Sequence, residues 1–409
     1  MDYALIGHSI SHSYSKRVHN LLGNNAYEII DLPPGQLDGF LNGRRFKGIN
    51  VTIPYKKEVL PYCAELSDAA RRIGSVNTIL AAGDGSLYGD NTDYSGFMYM
   101  CRRTGISFGG QRVVILGSGG TSLTAQAAAA DNGAAETVVV SRGGYYNYTN
   151  LELLKGFDII INTTPVGMSP NTGTSLLDLR CFPNCRAVID VIYNPLRTKL
   201  LLDAASLGIP HTNGLPMLIA QAASADSLFF GKAVEDAVIR EVLARLTGEL
   251  TNIVLIGMPG CGKTTVAAQL AKLLGRTSVD TDELIEAREN MEIPRLITSR
   301  GERAFRKIES EVVRDVSKMS GIVISTGGGA VLSDKNRQFL RQNGWVVWLQ
   351  RPIEKLEVHG RPLSKDLHEM YAIRKEYYTL CRDFTVVNDS DVLSAAEQIK
   401  EAYYEAAHH

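Results

Sequence analysis

After the apolar run 253–256 the chain reads Gly257-Met-Pro-Gly260-Cys-Gly262-Lys263-Thr264, and a helical run, 265–274, follows. A strand, a glycine-rich turn and a helix in that order gather backbone N–H groups and a helix N-terminus around one point, which suits a polyphosphate. Gly257, Gly260, Gly262, Thr264 and Thr265 are then the candidate phosphate contacts, Lys263 reaches the β- and γ-phosphates, and the Thr264 hydroxyl ligates magnesium. Spacing and flanks agree, so this part of the chain is expected to bind a nucleoside triphosphate. Asp280 and Asp282 follow at alternate positions. On an extended backbone their side chains share one side, where one holds magnesium through water and the other meets the hydroxyl that receives the phosphate.

Further along, Arg306 and Glu309 lie one helical turn apart in the run 301–318, and Gly327-Gly328-Gly329 follows the apolar run 322–324. Arg361 precedes Pro362, and Arg374 falls in the helical run 366–381. A basic cluster suits a triphosphate and a carboxylated acceptor, each charge-assisted bond contributing roughly 1.5–3 kcal/mol. Taken alone, Glu309 also reads as an exposed helix partner.

A second glycine cluster, Gly117-Ser-Gly119-Gly120, stands between the apolar run 112–116 and a run of small residues, 121–130, that reads as a helix pressed on a sheet. That context makes it a dinucleotide site. The apolar run 137–140 ends in Ser141-Arg142-Gly143. It offers no carboxylate to repel a 2′-phosphate and one guanidinium to bind it, which favours NADP(H) over NAD.

The elements that must position these groups follow from length and pattern. A chain of 409 residues exceeds one ordinary core, and domains of roughly 100–200 residues predict two or three. With 44 acidic and 43 basic residues, the net charge of −1 gives no general attraction for nucleic acid or an anionic membrane, and points to small-molecule partners. No apolar run approaches the ~18 residues of a membrane span. Six scattered cysteines lack zinc-site spacing and read as reduced thiols, so a cytoplasmic protein is expected. His408 and His409 resemble the stub of a purification tag.

Short apolar runs at 3–6, 27–32 and 49–53 alternate with helical patterns starting near Ser15, Pro34 and Lys56, which predicts an open α/β sheet. Polar clusters at 9–15 and 50–57 fall after strands, where α/β sheets place ligands. Runs at 158–161 and 187–192 continue a Rossmann-like module, and helical patterns at 217–230 and 232–247 close it. The polar stretch 248–252 reads as a short linker.

Several motifs together carry a resemblance. Ser13-Tyr-Ser15, Asn50-Val-Thr-Ile-Pro-Tyr-Lys56, Val76-Asn-Thr78, Asp90-Asn-Thr-Asp93, Asn162-Thr-Thr-Pro-Val-Gly-Met168 and Asn213-Gly-Leu-Pro-Met217 with Gln221 make residues 1–245 similar to shikimate dehydrogenase. The resemblance implies that Ser13 and Ser15 hold the substrate carboxylate and that Thr52, Asn77, Asp93 and Gln221 hold ring hydroxyls. It makes Lys56 and Asp93 the catalytic pair. Ketone reduction needs hydride at carbon and a proton at the developing alkoxide, for which a positioned acid contributes about 10²–10⁴-fold. Lysine near its ordinary pKa of about 10.4 releases protons slowly at pH 7, and a neighbouring carboxylate raises that value, so Lys56 is expected to stabilise charge more than to shuttle protons. Tyr193 reads either as a substrate contact or as packing. Lys16 stands where the family usually has proline, and Gly143 where it usually has threonine.

Residues 250–405 resemble shikimate kinase. Carried over by motif, Asp280 serves magnesium through water; Asp282, Arg306, Gly328, Gly329 and Arg374 hold the acceptor, with Asp282 as base; and Arg361 closes over the phosphates from a lid. Cys261 takes a loop position often filled by serine or alanine.

The expected fold is α/β throughout: a substrate-binding domain (1–100), a Rossmann NADP-binding domain whose last helices return to the first (101–247), and a P-loop kinase domain of α/β/α type with a parallel sheet (250–406). The expected function is reduction of 3-dehydroshikimate by NADPH, then phosphorylation of shikimate by ATP with Mg2+. A quinate-type dehydrogenase fused to another small-molecule kinase is a second reading. A ligand-sensing or assembly protein, one half of which binds without turnover, is a third. The intact pairs Lys56–Asp93 and Lys263–Asp282 argue against the last.

Overall fold

The computed structural model describes residues 1–10, 13–356, 366–389 and 391–408. Two compact units share the chain: Met1–Pro165 with Leu176–Tyr193 and Asp203–Leu243, and Val166–Ser175 with Asn194–Leu202 and Ala244–His409.

The first unit contains two sheets. Strands β1 (Tyr3–Gly7), β2 (Tyr27–Asp31), β3 (Gly48–Val51), β4 (Glu65–Leu66), β5 (Thr78–Ala81) and β6 (Leu87–Asp90) are ordered β2-β1-β3-β5-β6-β4. β1 runs parallel to β2 and β3, whereas β5 is antiparallel to β3 and β6, so the sheet is mixed. The antiparallel element comes from a tight β5–β6 turn in which Asp84 accepts from the backbone and hydroxyl of Ser86. The helix expected from Lys56 does not form. Turns lead to a short 3-10 segment, Leu60–Tyr62, because Pro61 lacks the N–H that would continue a helical ladder from Lys57.

Strands β7 (Arg112–Leu116), β8 (Glu136–Val140), β9 (Ile159–Asn162), β10 (Ala187–Asp190) and β11 (His211–Thr212) form an all-parallel sheet, β11-β10-β9-β7-β8. The small residues after Gly120 allow the Gly120–Asp131 helix to press on this sheet, where Ala125, Ala128 and Ala129 are fully buried.

In the second unit, β12 (Asn252–Ile256), β13 (Ser278–Asp280), β14 (Val323–Ser325), β15 (Gly344–Gln350) and β16 (Phe384–Val387) form the parallel sheet β13-β14-β12-β15-β16. Along β12, Val254 and Ile256 enter one core while Ile253 and Leu255 enter the other, as a sheet covered on both faces requires. The stretch 248–252 is not a linker. The helix Asp236–Leu250 runs through most of it, and its last carbonyls are taken up by Arg276 and Tyr403, which both donate to Gly248 O at 2.7 Å. Both tryptophans of the chain, Trp345 and Trp348, lie in β15, so tryptophan fluorescence reports on this unit.

Two helices of the first unit, Thr92–Arg103 and Leu215–Phe230, pack closely because Gly96 carries no side chain. A Cβ there would stand 2.6 Å from Met217 O and 2.9 Å from Gln221 N. Gly96→Ala is therefore expected to destabilise the first unit by roughly 1–3 kcal/mol. Thermal melts by far-UV circular dichroism would show the loss, while the tryptophan transition stays in place.

Candidate active sites

The first site lies beyond the ends of β1, β3 and β5. β3 ends at Val51, and the turn after it carries Thr52 and Lys56. That turn is held to the chain after Ile73 by Val76 N–H donating to Lys56 O at 2.8 Å. β5 is preceded by Asn77 and β6 is followed by the Thr92–Arg103 helix, whose first turn holds Asp93. The Lys56 ammonium meets Asp93 Oδ2 at 2.5 Å, with the two side chains only 19% and 12% exposed. Asn77 donates to the other carboxylate oxygen at 2.9 Å and to Gln221 Oε1 at 3.5 Å, and accepts from Thr92 N at 2.7 Å. Four of the expected residues, Lys56, Asn77, Asp93 and Gln221, are thus joined by hydrogen bonds, one of them arriving from a helix 144 positions away.

Ser13 and Ser15 share a hydroxyl contact of 3.0 Å at the start of the Ser15–Leu21 helix. Tyr14, between them, packs edge-on against Tyr193 at a centroid distance of 5.8 Å. Burial raises the Tyr193 phenol above its ordinary value, and Tyr14 adds to the shift. Tyr193 therefore stands beside the two serines, which the sequence left open. Thr52 lies against the end of β1 through its N–H to Ile6 O, 2.9 Å.

The glycine loop after β7 turns at Gly117, whose φ of +102° suits glycine and whose absent Cβ would collide with Thr164 Cγ2 at 2.8 Å. Gly119 precedes the helix that begins at Gly120, which leaves helix N–H groups directed outward. Ser141 and Arg142 follow β8 on the neighbouring strand, with Arg142 exposed. Donors at a helix N-terminus, with an exposed guanidinium after the neighbouring strand, fit a dinucleotide carrying an extra phosphate.

The second site gathers around the loop between β12 and the Lys263–Leu274 helix. Gly262 has φ +94°, and a Cβ on it would meet Asn388 Nδ2 at 2.6 Å. Asn388 in turn donates to Cys261 O at 2.8 Å, tying the loop to the chain after β16. The Lys263 ammonium lies within the loop, 2.9 Å from Met258 O and 3.1 Å from Gly257 O. Gly257 and Gly260 also have positive φ, and Thr264 and Thr265 are exposed in the first turn of the helix.

The backbone does not stay extended from Asp280 to Asp282, because a helix begins at Thr281. Asp280 ends β13 and caps the Thr281–Glu289 helix, its Oδ1 accepting from Asp282 N at 2.8 Å. Its Oδ2 accepts from Thr264 at 2.7 Å and from Ser325 at 2.8 Å. Three oxygens of Thr264, Asp280 and Ser325 therefore converge, a hard donor set that fits magnesium with retained waters. Asp282 turns instead toward the glycine turn after β14: a Cβ on Gly327 would stand 2.6 Å from its Oδ1.

Arg306 Nη1 donates to both carboxylate oxygens of Glu309, at 3.0 and 2.9 Å, and Glu309 is buried rather than an exposed helix partner. Burial opposes the charge of Arg306, but Glu309 and then Glu302 raise it; for Glu309 burial prevails over Arg306 and lifts the carboxyl above its ordinary range. Arg374 is also buried and close enough to favour the charged Glu309, as Asp282 disfavours it. A Cβ on Gly329 would touch the Arg306 guanidinium at 2.5 Å, and Tyr378 holds Gly328 O at 2.7 Å. Asp282, Arg306, Gly328, Gly329 and Arg374 thus share one neighbourhood. Arg361 lies outside the described residues.

Sequence reasoning missed Ser325, Asn388, Tyr378 and Gly96. Ser325 alone left a signal, as a hydroxyl ending a strand just before three glycines.

A family model described as shikimate kinase matches residues 259–405, and one described as the shikimate dehydrogenase substrate binding domain matches residues 5–79. The NADP-dependent shikimate dehydrogenase of Clostridium perfringens (strain 13 / Type A) is 32% identical over 265 residues, which is 60% of this chain and 97% of that protein. A chorismate mutase/shikimate 5-dehydrogenase fusion protein from Clostridium acetobutylicum has a crystal structure that superposes with a TM-score of 0.57 at 33% identity, covering 60% of this chain and 96% of that one. Shikimate 5-dehydrogenase from Thermus thermophilus, in complex with NADP(H) and shikimate, superposes with a TM-score of 0.54 at 32% identity, covering 60% and 99%.

Removing Arg306 strands a buried carboxylate. Arg306→Met is expected to destabilise the second unit by roughly 3–5 kcal/mol, and adding Glu309→Gln to recover part of the loss. Urea denaturation followed by tryptophan fluorescence measures both.

Proposed function

We propose, for a chain that belongs to the shikimate dehydrogenase family and carries a shikimate kinase domain at its C-terminal end, that it reduces 3-dehydroshikimate to shikimate with NADPH and then transfers the γ-phosphoryl of ATP to the shikimate 3-hydroxyl. The observation that carries this reading is the presence in one chain of two chemically complete sets: Lys56–Asp93 with Asn77 and Gln221, and the Lys263 loop with Thr264, Asp280 and the Arg306 group.

In the first reaction the nicotinamide, when bound, supplies the hydride. The chain's part is to hold the ring and manage the proton. Ser13 and Ser15 offer hydroxyls to the carboxylate, and Thr52, Asn77, Asp93 and Gln221 fix the ring hydroxyls. Lys56, held by Asp93, stabilises negative charge growing on the carbonyl oxygen and delivers the proton. Arg142 and Ser141 bind the 2′-phosphate, and Gly117, Gly119 and Gly120 the pyrophosphate.

In the second reaction Gly257, Gly260, Gly262 and Thr265 cradle the ATP phosphates, and Lys263 neutralises charge on the transferring group. Thr264 and Asp280, with Ser325, hold magnesium, which screens the phosphate charge when bound. Arg306 and Arg374 bind the acceptor carboxylate, Gly328 and Gly329 leave room for its ring, and Asp282 accepts the hydroxyl proton. Arg361 completes the phosphate site. The likeness to biosynthetic relatives and the absence, among the described residues, of any helix long and apolar enough to cross a membrane support a cytoplasmic location.

Incubation with 3-dehydroshikimate, NADPH and MgATP, read by mass spectrometry, is expected to give shikimate and then shikimate 3-phosphate. Asp93→Asn should lower reduction by about 10²–10⁴-fold and leave phosphorylation of added shikimate intact. Lys263→Ala should do the reverse. Loss of neither activity in its own variant would sink the assignment.

A further inference from the structure

One buried polar cluster of the first unit has no part in the chemistry above. His19, Asn24 and Asp226 are 0%, 2% and 1% exposed. Asp226 Oδ1 accepts from His19 Nδ1 and from Asn24 Nδ2, both at 2.9 Å. Such a carboxylate can only accept, so the His19 proton toward it sits on Nδ1. Burying a carboxylate is costly unless it is well hydrogen-bonded, yet Asp226 Oδ2, His19 Nε2 and Asn24 Oδ1 have no partner among the described residues. A hydrocarbon side chain at position 226 would fill the same space at lower cost. Stability alone gives no account of the acid.

Its location supplies one. His19 lies one turn beyond Ser15 on the Ser15–Leu21 helix, and Asp226 lies five residues beyond Gln221 on the Leu215–Phe230 helix. The 2.9 Å bond is therefore a strut between the element bearing the candidate carboxylate ligand and the element bearing a candidate hydroxyl ligand. The strut continues inward. The His19 ring stacks on Tyr27 at a centroid distance of 3.7 Å and an interplanar angle of 14°. The Tyr27 hydroxyl donates to Asn50 Oδ1 at 2.7 Å, and Asn50 Nδ2 donates to Thr78 Oγ1 at 3.0 Å and to Asn77 O at 3.2 Å. Asn77 is the residue that holds Asp93.

We propose that Asp226, His19, Tyr27 and Asn50 form a buried positioning chain that fixes the spacing between Ser15, Gln221 and Asn77, and so sets the affinity for the ring carboxylic acid without touching it. The inference rests on the dehydrogenase reading of the first unit. The bonds of Asp226, His19, Tyr27 and Asn50 described above run to one another, to Asn24, to Thr78 and to the backbone of Asn77, and none runs to Lys56 or Asp93, so the chain governs how well the substrate is gripped more than how fast it is converted.

The test uses the full-length protein and steady-state reduction of 3-dehydroshikimate, with the KM for NADPH and the rate of shikimate phosphorylation as internal controls. Asp226→Leu should raise the KM for 3-dehydroshikimate by about 10-fold or more while kcat stays within about 3-fold and both controls stay unchanged. Asp226→Asn, whose amide oxygen still accepts from His19 and Asn24, should return the KM to within about 3-fold of the parent. Tyr27→Phe keeps the stack and removes only the hydroxyl, and should raise the KM by about 5-fold; it carries the test if Asp226→Leu does not fold. A lower melting temperature with an unchanged KM in both Asp226→Leu and Tyr27→Phe would reduce the cluster to packing and overturn the proposal. An unaltered protein that fails to reduce 3-dehydroshikimate would overturn the dehydrogenase reading itself, and the positioning role with it.

Discussion

The 2.5 Å pair of Lys56 and Asp93 is the interaction around which the first unit is arranged. Two largely buried charges are tolerable only when matched and further hydrogen-bonded, and the extra bond comes from Asn77. To meet that demand, the turn after β3, the start of β5 and the start of the Thr92–Arg103 helix must converge. The antiparallel hairpin within an otherwise parallel sheet is what brings Asn77 and Asp93 side by side. A charged pair held in this way keeps its geometry before any ligand arrives, and such preorganised groups are where electrostatic stabilisation has its largest effect.

The second unit meets the same demand with different parts. Asp280 is matched by two hydroxyls and a backbone N–H, and Glu309 by one arginine nitrogen shared between its two oxygens. Neither carboxylate is left to its own hydration. Dividing the acids between a hydroxyl-lined corner and an arginine-lined one gives them separate environments, and separate environments give like groups distinct chemical roles.

How much of this was legible in the sequence depended on whether the interaction was local. The phosphate loop, the dinucleotide turn and the order of three α/β modules are written in contiguous runs of glycine and alternating apolar segments, and they were legible. The spacing of Asp280 and Asp282 was visible, but capping reoriented it, because a side chain at a strand end can accept the N–H of a helix that begins there. Ser325 and Asn388 escaped since their roles arise from β14, beside β12 in the sheet, and from the chain after β16, two strands away, whose positions near the loop depend on sheet order. Gly96 escaped for the opposite reason: its contribution is an absence of atoms, felt only by a helix more than a hundred residues later. The expected helix at Lys56 failed on a proline that the polar periodicity obscured.

That late helix has a consequence for how the molecule comes into being. Every strand of the first two sheets precedes the Leu215–Phe230 segment in the chain, yet Gln221 and Asp226 belong to it. During synthesis the parallel sheet with its glycine turn can assemble while the candidate site around Lys56 and Asp93 still lacks Gln221. Contacts separated by 144 and 207 residues close last, since distant pairings pay their loop entropy before they gain anything. A nascent or clipped chain ending short of this helix would possess the Gly117 turn and its parallel sheet but lack Gln221 and Asp226, so the two candidate sites of the first unit are completed one after the other as the polypeptide lengthens.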